Sequence, residues 1–287
     1  MLNFLRKKIG IIGYGNMGQA IAEQIKYKYV VCVFDKDKNK ITALKNITVS
    51  SNPADLVKQS EVIILAVKPQ DFDILLNKIK IFLRSKLIIS IAAGITTGYI
   101  EKILGKVRVV RVMPNIAAKI AEAETSLCQG KHAQEKDLDF AKTLFSLLGK
   151  VWVVKEEKID AVTAISGSGP AYILYHLETE NINPLNVPEE FVNMYIQRLN
   201  DAAIAVRLAP KIARELAVST TASTIHLIKQ TGSSPVQLRQ MITSVGGTTE
   251  AAIKVITNGG SWPEAALAAQ RRAQELSIKA CLPAGRE

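Results

Sequence analysis

The sequence predicts an α/β protein: a mostly parallel sheet in the first half, followed by an all-helical C-terminal half. Three observations carry this. A glycine turn near the N-terminus stands between a β-branched run and a run of helical period. Further β-branched runs alternate with helix-like runs up to about residue 157. From Ile159 onward the strand-like runs stop, and alanine-rich segments of helical period take over. Continuous valine and isoleucine runs with helices between them fit a parallel sheet covered on both faces, because both sides of each strand are then buried.

The first element is read from "KIGIIGYGNMGQAIAEQI" (8–25), an apolar run that reaches Gly13, Gly15 and Gly18 and continues with Met17, Ala20, Ile21, Gln24 and Ile25 on an amphipathic helix pattern. Strand, glycine turn and helix in this order form a Rossmann-type dinucleotide fingerprint. The first glycine permits the tight turn, the second lets backbone approach a pyrophosphate, and the third lets helix and strand pack closely. The helix start adds free amides and a partial positive charge for phosphates.

A second strand, "YVVCVFD" (29–35), ends in Asp35, seventeen positions after Gly18. An acid near this spacing bonds the adenosine ribose hydroxyls; the other reading is a cap on a helix starting near Lys36. An acid here repels a 2′-phosphate and favours NAD over NADP, whereas the neighbouring Lys36 and Lys38 act in the opposite sense.

Three more buried strands follow: "EVIILAVKP" (61–69), "KLIISIAAG" (86–94) and "VRVVRVMPN" (107–115). Ligands in such sheets bind beyond the carboxyl ends of the strands, so the glycines, Pro69, Gly94 and Asn115 are expected along one edge. Lys68 precedes a proline and is expected to be extended, although it also reads as an ordinary solvated lysine. "TSLCQG" (125–130) and "KVWVVKEE" (150–157), around a helix candidate at 134–148, extend the sheet by one or two strands.

In the second half, helices are expected at 197–208, 211–230 and 262–280. The change of period places the domains at 1–158 and 159–287. A small alanine-rich bundle completes its core with a second copy, so a homodimer or higher homo-oligomer is expected. Two permissive stretches interrupt these helices, "AISGSGPAY" (164–172) and "TSVGGTTE" (243–250). Both read as parts of a substrate pocket facing the cofactor. The first also reads as a sharp corner followed by a helix capped by Ser168, with Pro170 in its first turn.

Composition narrows the function classes. The chain has 287 residues, 48% of them hydrophobic, with no apolar run long enough to span a membrane. "MLNFLRKK" is too short an apolar stretch for a secretory signal. Cys32, Cys128 and Cys281 lie far apart and read as reduced, cytoplasmic thiols; His132, His176 and His226 are equally scattered, so no metal site is expected. The formal charge is +11, but it is dispersed, and aromatics are only 6%. That pattern reads as a solvated basic surface rather than a nucleic-acid site.

Read together, GYGNMG, AVKPQ, SIAAGIT, RVMPN, IDAVTAISGSGPAY and SVGGTTEAAI resemble the pyrroline-5-carboxylate reductase family, in that family's order and over nearly the whole chain. SGSGPAY and the late GGTT are its most specific parts. The resemblance implies a dinucleotide domain, a helical dimerisation domain, and reduction of 1-pyrroline-5-carboxylate to L-proline by NADPH or NADH, the last step of proline biosynthesis. It implies cofactor contacts from Gly13, Gly15, Asn16, Met17 and Gly18, and from Asp35, Lys36 and Asn52. Ala66, Val67, Lys68 and Pro69, then Ala92, Ala93 and Gly94, and finally Asn115 complete that set. It implies substrate contacts from Ser244, Gly246, Gly247, Thr248 and Thr249, with Thr249 and Ser168 as the catalytic pair and Thr249 meeting the ring nitrogen.

The chemistry suits so sparse a set. A protonated cyclic imine is already a strong hydride acceptor, so positioning the ring and its carboxylate is the main task. A hydroxyacid dehydrogenase of similar architecture needs a lysine on the helix after the glycine-rich corner, and this chain has no lysine between Lys158 and Lys211. The sequence departs from the family at Val245, where a proline is usual, at Ile116 and Ala117 for Thr-Pro, at Gln240 for an acid, and at Ser233-Ser234-Pro235 for Glu-His-Pro. About twenty extra residues between His176 and Gln197 read as a long loop that breaks a helix. These departures keep open a second reading, a dinucleotide-binding homologue with a regulatory or scaffold role.

Overall fold

A computed structural model describes residues 6–83 and 85–281. The segment read as too short for a secretory signal lies partly outside them, at residues 1–5. The described residues divide into two compact units: one holds 6–83, 85–113, 127–156 and 276–281, the other 114–126 and 157–275.

In the first unit the β-branched runs form strands. β1 (Lys8–Ile12), β2 (Val30–Phe34), β3 (Thr48–Val49), β4 (Val62–Leu65), β5 (Leu87–Ser90) and β6 (Arg108–Met113) pair in parallel. With β7 (Ala123–Gln129) and β8 (Gly149–Val153), the order among the described residues is β3-β2-β1-β4-β5-β6-β7-β8. The order reverses between β1 and β4, which is where doubly wound sheets open a ligand crevice. The helices between the strands are α1 (Asn16–Ile25), α2 (Pro53–Gln59), α3 (Phe72–Ile79), α4 (Thr97–Leu104) and α5 (Glu135–Phe145).

The core explains the unbroken apolar runs. Ile63 and Leu65 of β4, Ile88 of β5 and Val109 of β6 pack with Leu56, Phe72, Leu76, Ile79 and Ile100 of the covering helices. Each such side chain contributes about 1.5–3 kcal/mol through burial. Lys68 is extended before Pro69, as the proline requires (φ −68°, ψ 150°). The most deeply buried charged residue is Arg111 of β6, 1% exposed. Its Nη1 lies 3.6 Å from Glu156 Oε1, and Glu156 also accepts the Thr97 backbone N–H and the Thr97 hydroxyl, each at 2.8 Å. The pair therefore fixes the start of α4.

The second unit is helical: α6 (Glu156–Val162), α7 (Gly169–Thr179), α8 (Glu189–Ala205), α9 (Pro210–Thr231), α10 (Pro235–Ile242), α11 (Thr248–Thr257) and most of α12 (Trp262–Cys281). α8 packs on α9, and α7 on α9, α10 and α11. Ser233-Ser234-Pro235 has a local purpose. Ser234 caps α10 in a capping box with Gln237, and Pro235 stands in the first turn, where its missing N–H costs nothing.

AISGSGPAY is not the sharp corner the sequence suggested. Residues Thr163–Gly167 form a π-helical turn that carries α6 almost directly into α7. The Ser168 N–H bonds the Thr163 carbonyl five residues back, at 2.9 Å. Thr163 and Ser166 hydroxyls bond the carbonyls of Ile159 and Val162 four residues back, occupying acceptors the widened turn leaves free. Ser168 does not cap α7 with its side chain.

The extra residues after His176 are not a twenty-residue loop. α7 runs to Thr179 and α8 starts at Glu189, so the connection is 180–188. Glu189 and Glu190 stand at the positive end of α8. The inserted turns deliver Phe191 and Tyr195 to an aromatic cluster. Tyr195 is fully buried and stacks on Trp262 at 5.9 Å with an interplanar angle of 9°. Its hydroxyl meets His176 Nδ1 at 3.2 Å, and Tyr172 meets Trp262 edge-on. The added length completes a small aromatic core.

Candidate active site

At the switch point of the sheet a cleft of about 460 Å³ is lined by Gly13, Gly15, Asp35, Lys36, Lys40, Ala66, Val67 and Lys68, together with Gln70, Asp71 and Ile74. The glycines are required for separable reasons. Gly13 has φ +102°, and a Cβ there would lie 2.4 Å from the Ala66 carbonyl oxygen. A Cβ on Gly18 would lie 2.0 Å from the Gly13 carbonyl. Gly15 has ordinary extended backbone, and a Cβ there would meet nothing within 4 Å. Its smallness serves no protein contact, and it borders the cleft. No side chain caps the start of α1 at Asn16 and Met17. A glycine-edged cleft at an uncapped helix start fits a dinucleotide pyrophosphate.

Asp35 is 7% exposed at the end of β2. One carboxylate oxygen accepts the Tyr14 N–H at 2.6 Å and the other the Asp37 N–H at 2.8 Å. It thereby braces the glycine turn, and each oxygen keeps a lone pair for a ribose hydroxyl. The local cap is Asp37, whose side chain accepts from Asn39 N–H. Lys36 pairs with Asp71 at 3.0 Å, Lys38 lies over the Phe34 ring at 4.5 Å, and Lys40 is 3.9 Å from Asp37. The Tyr14 phenol, inside the fingerprint, is pushed up to about 12, first by burial and then by Glu23.

Other expected cofactor residues lie outside this lining. Asn52 caps α2, accepting from the Asp55 N–H at 2.9 Å. Ala92, Ala93 and Gly94 form the turn after β5, where Gly94 takes φ +73°. Asn115 is buried in the second unit; its amide donates to Ser166 O at 3.0 Å and accepts from Glu124 N–H at 3.1 Å. Ile116 and Ala117 beside it are buried in a short 3-10 turn and fill apolar space.

In the second unit the two permissive stretches meet. Ser168 Oγ lies 3.1 Å from Thr249 Oγ1 and 3.3 Å from Thr248 Oγ1, all three buried. Thr248 and Thr249 open α11, which no side chain caps, so its first amides face outward beside the hydroxyls. The preceding turn runs Ser244-Val245-Gly246-Gly247, closed by the Gly247 N–H on the Ser244 carbonyl at 2.9 Å. Gly246 takes φ +70°, and a Cβ on Gly247 would lie 2.3 Å from Ser244 Oγ. The turn thus sets three hydroxyls beside the amides that open α11. A Cβ on Gly167 would press on Thr163 Cγ2 at 3.1 Å within the π-turn, and one on Gly169 on Leu199 Cδ2 of α8 at 2.9 Å. The sequence reading missed the supports of this turn, Glu250 and Arg272: Glu250 stands inside TSVGGTTE with no role assigned to it, Arg272 lies in no motif, and only contacts reveal what they do.

Among the described residues no group of three or more His, Cys, Asp or Glu side chains is placed to hold a metal, and no helix is long and apolar enough to cross a membrane.

A switch-point cleft edged by glycine, with a helical unit carrying a hydroxyl-lined helix start, defines a nicotinamide-dependent oxidoreductase of the Rossmann type with a helical second domain. Residues 8–94 match the model described as NADP oxidoreductase coenzyme F420-dependent, and residues 190–276 match pyrroline-5-carboxylate reductase dimerisation. The chain is 35% identical to a pyrroline-5-carboxylate reductase of Methanosarcina acetivorans, over 95% of this chain and 99% of that one. It is 33% identical to pyrroline-5-carboxylate reductase 2 of Bacillus subtilis, over 87% of each. Among solved structures, a pyrroline-5-carboxylate reductase from Coxiella burnetii is 31% identical, with TM-score 0.61 over 94% of this chain and 98% of that one. A Plasmodium falciparum pyrroline carboxylate reductase with NADP bound is 26% identical, with TM-score 0.60 over the same shares. The chain belongs to the pyrroline-5-carboxylate reductase family.

Proposed function

We propose that the protein reduces 1-pyrroline-5-carboxylate to L-proline with NAD(P)H. The observation that carries this is the buried Ser168–Thr248–Thr249 hydroxyl cluster at the uncapped start of α11. It suits a small ring acid: the Thr248 and Thr249 amides that open α11 for the carboxylate, with the Gly246-Gly247 turn and Ser244 beside them, and the Thr249 hydroxyl for the ring nitrogen.

NAD(P)H, when bound, would supply the hydride that reduces C5 of the iminium ring, the C=N π pair passing to the ring nitrogen. Ser168 orients the Thr249 hydroxyl toward that nitrogen, where the lone pair forms. Gly15 and the α1 start would hold the pyrophosphate, and Asp35 the adenosine ribose, with contacts from the turns after β4 and β5. We assign NADH as the preferred donor. Asp35 is an acid at the ribose position, and the three lysines near it are turned to Asp71, Phe34 and Asp37. The match of residues 190–276 to a dimerisation model supports a homodimer.

The test is substrate-dependent oxidation of NADH and of NADPH by the purified protein, measured side by side. Turnover with either supports the proposal. Dinucleotide binding without turnover would favour the regulatory or scaffold reading instead.

A further inference from the structure

The turn before α11 carries the features of a type II β-turn: it is closed from Gly247 N–H to Ser244 O, and Gly246 takes φ +70° at its third position. The second position of such a turn favours proline, whose ring presets φ. This chain has Val245 there, 97% exposed, so its side chain packs against nothing that would hold the turn.

The peptide of the next residue is gripped instead. The Gly246 N–H donates to Glu250 Oε2 at 2.7 Å. Arg272 Nε, from α12, donates to the Gly246 carbonyl, also at 2.7 Å. Arg272 is steadied in turn by donating through Nη1 to Glu275 Oε2 at 2.8 Å. Both polar atoms of one left-handed glycine are thus held by charged side chains from two helices. Charge-assisted bonds of this kind are the stronger class.

We infer that Glu250 and Arg272 are positioning residues that take over the stiffening role of the absent proline and keep the turn in its ligand-binding form. The inference rests on the reading of this turn as the carboxylate cradle. A ligand that binds only the ordered turn sees its affinity reduced by the fraction of molecules in which that turn is formed. Loosening the grip therefore raises the KM for pyrroline-5-carboxylate, while the dinucleotide site stays as it was.

The experiment is steady-state kinetics on the full-length protein. Arg272→Gln is expected to raise the KM for pyrroline-5-carboxylate about tenfold, with kcat and the KM for NADH within about twofold. Glu250→Gln is expected to act in the same direction. Arg272→Lys, which keeps a charged donor, is expected to cost about threefold or less. The decisive arm is Val245→Pro in the Arg272→Gln background: proline restores the turn by another route and brings the KM back to within about threefold of the parent. Equal rises in both KM values, or no recovery with proline, would overturn the inference. Gly247→Ala tests the underlying reading separately, because its methyl displaces Ser244 from the turn. If that variant leaves the KM for the imine unchanged, the cradle reading fails. If it raises the KM and Arg272→Gln does not, only the positioning role fails.

Discussion

Ser168 Oγ and Thr249 Oγ1 lie 3.1 Å apart in a buried site, although eighty-one residues separate them in sequence. One stands where a π-helical turn joins α7, the other in the first turn of α11. Each hydroxyl fixes the rotor of the other. Thr249→Ala is expected to lower kcat about a hundredfold, the scale for losing one aimed donor, with dinucleotide affinity nearly unchanged. Fluorescence titration with NADH beside steady-state kinetics checks this; equal loss of both would contradict the role of Thr249.

Gly15 and Gly18 make a matched pair. Gly18→Ala drives a methyl to 2.0 Å from the Gly13 carbonyl and should cost about 1–3 kcal/mol of stability. Gly15→Ala meets no protein atom, so the unfolding midpoint should hold while NADH affinity drops about tenfold, or ~1.4 kcal/mol. Denaturant melts and NADH titrations on both variants separate the two effects.

Asp35→Ser removes the negative charge at the ribose position. The ratio of kcat/KM for NADPH to that for NADH should rise about tenfold. An unchanged ratio would show that Asp35 only braces Tyr14 and Asp37, the two amides it already holds.

The inserted aromatic residues should matter for stability rather than chemistry. Tyr195→Ala is expected to cost about 3–5 kcal/mol, because it empties the space against Trp262. Tyr195→Phe keeps the stack, loses only the bond to His176, and should cost about 1 kcal/mol. Urea denaturation measures both.

His176 adds a pH dependence. Burial first, then the charge of Arg198, hold its imidazole below its ordinary value of 6.5, against a smaller opposite pull from Glu180. The unfolded chain therefore binds this proton more readily than the folded one. Stability is fully present above about pH 6.5 and declines as pH falls below it toward the lower folded value. In His176→Gln the melting temperature between pH 7 and pH 5 should fall less steeply than in the parent.

Much of this was legible in sequence, for physical reasons. β1, β4, β5 and β6 are buried on both faces, so their apolar runs are unbroken and easy to read. The glycine turn at Gly13–Gly18 is legible because sterics leave no substitute at two of its positions. What stayed hidden depends on contacts across the chain. The π-turn at Thr163–Gly167 has no periodic signature, so the same glycines suggested a corner. α8 begins within the stretch read as a loop, because Phe191 and Tyr195 show their purpose only against His176 and Trp262. Arg272 looks like any lysine or arginine on a helix surface until its bond to Gly246 is seen.

The central claim is hydride transfer to carbon 5 of the imine. It is tested most directly by supplying the purified protein with 1-pyrroline-5-carboxylate and NADH deuterated at nicotinamide C4 on the transferred face, then analysing the product by mass spectrometry and NMR. L-Proline bearing one deuterium at C5 for each NADH oxidised is the expected result. Proline without deuterium at that carbon, or no proline while NADH still binds, would contradict it.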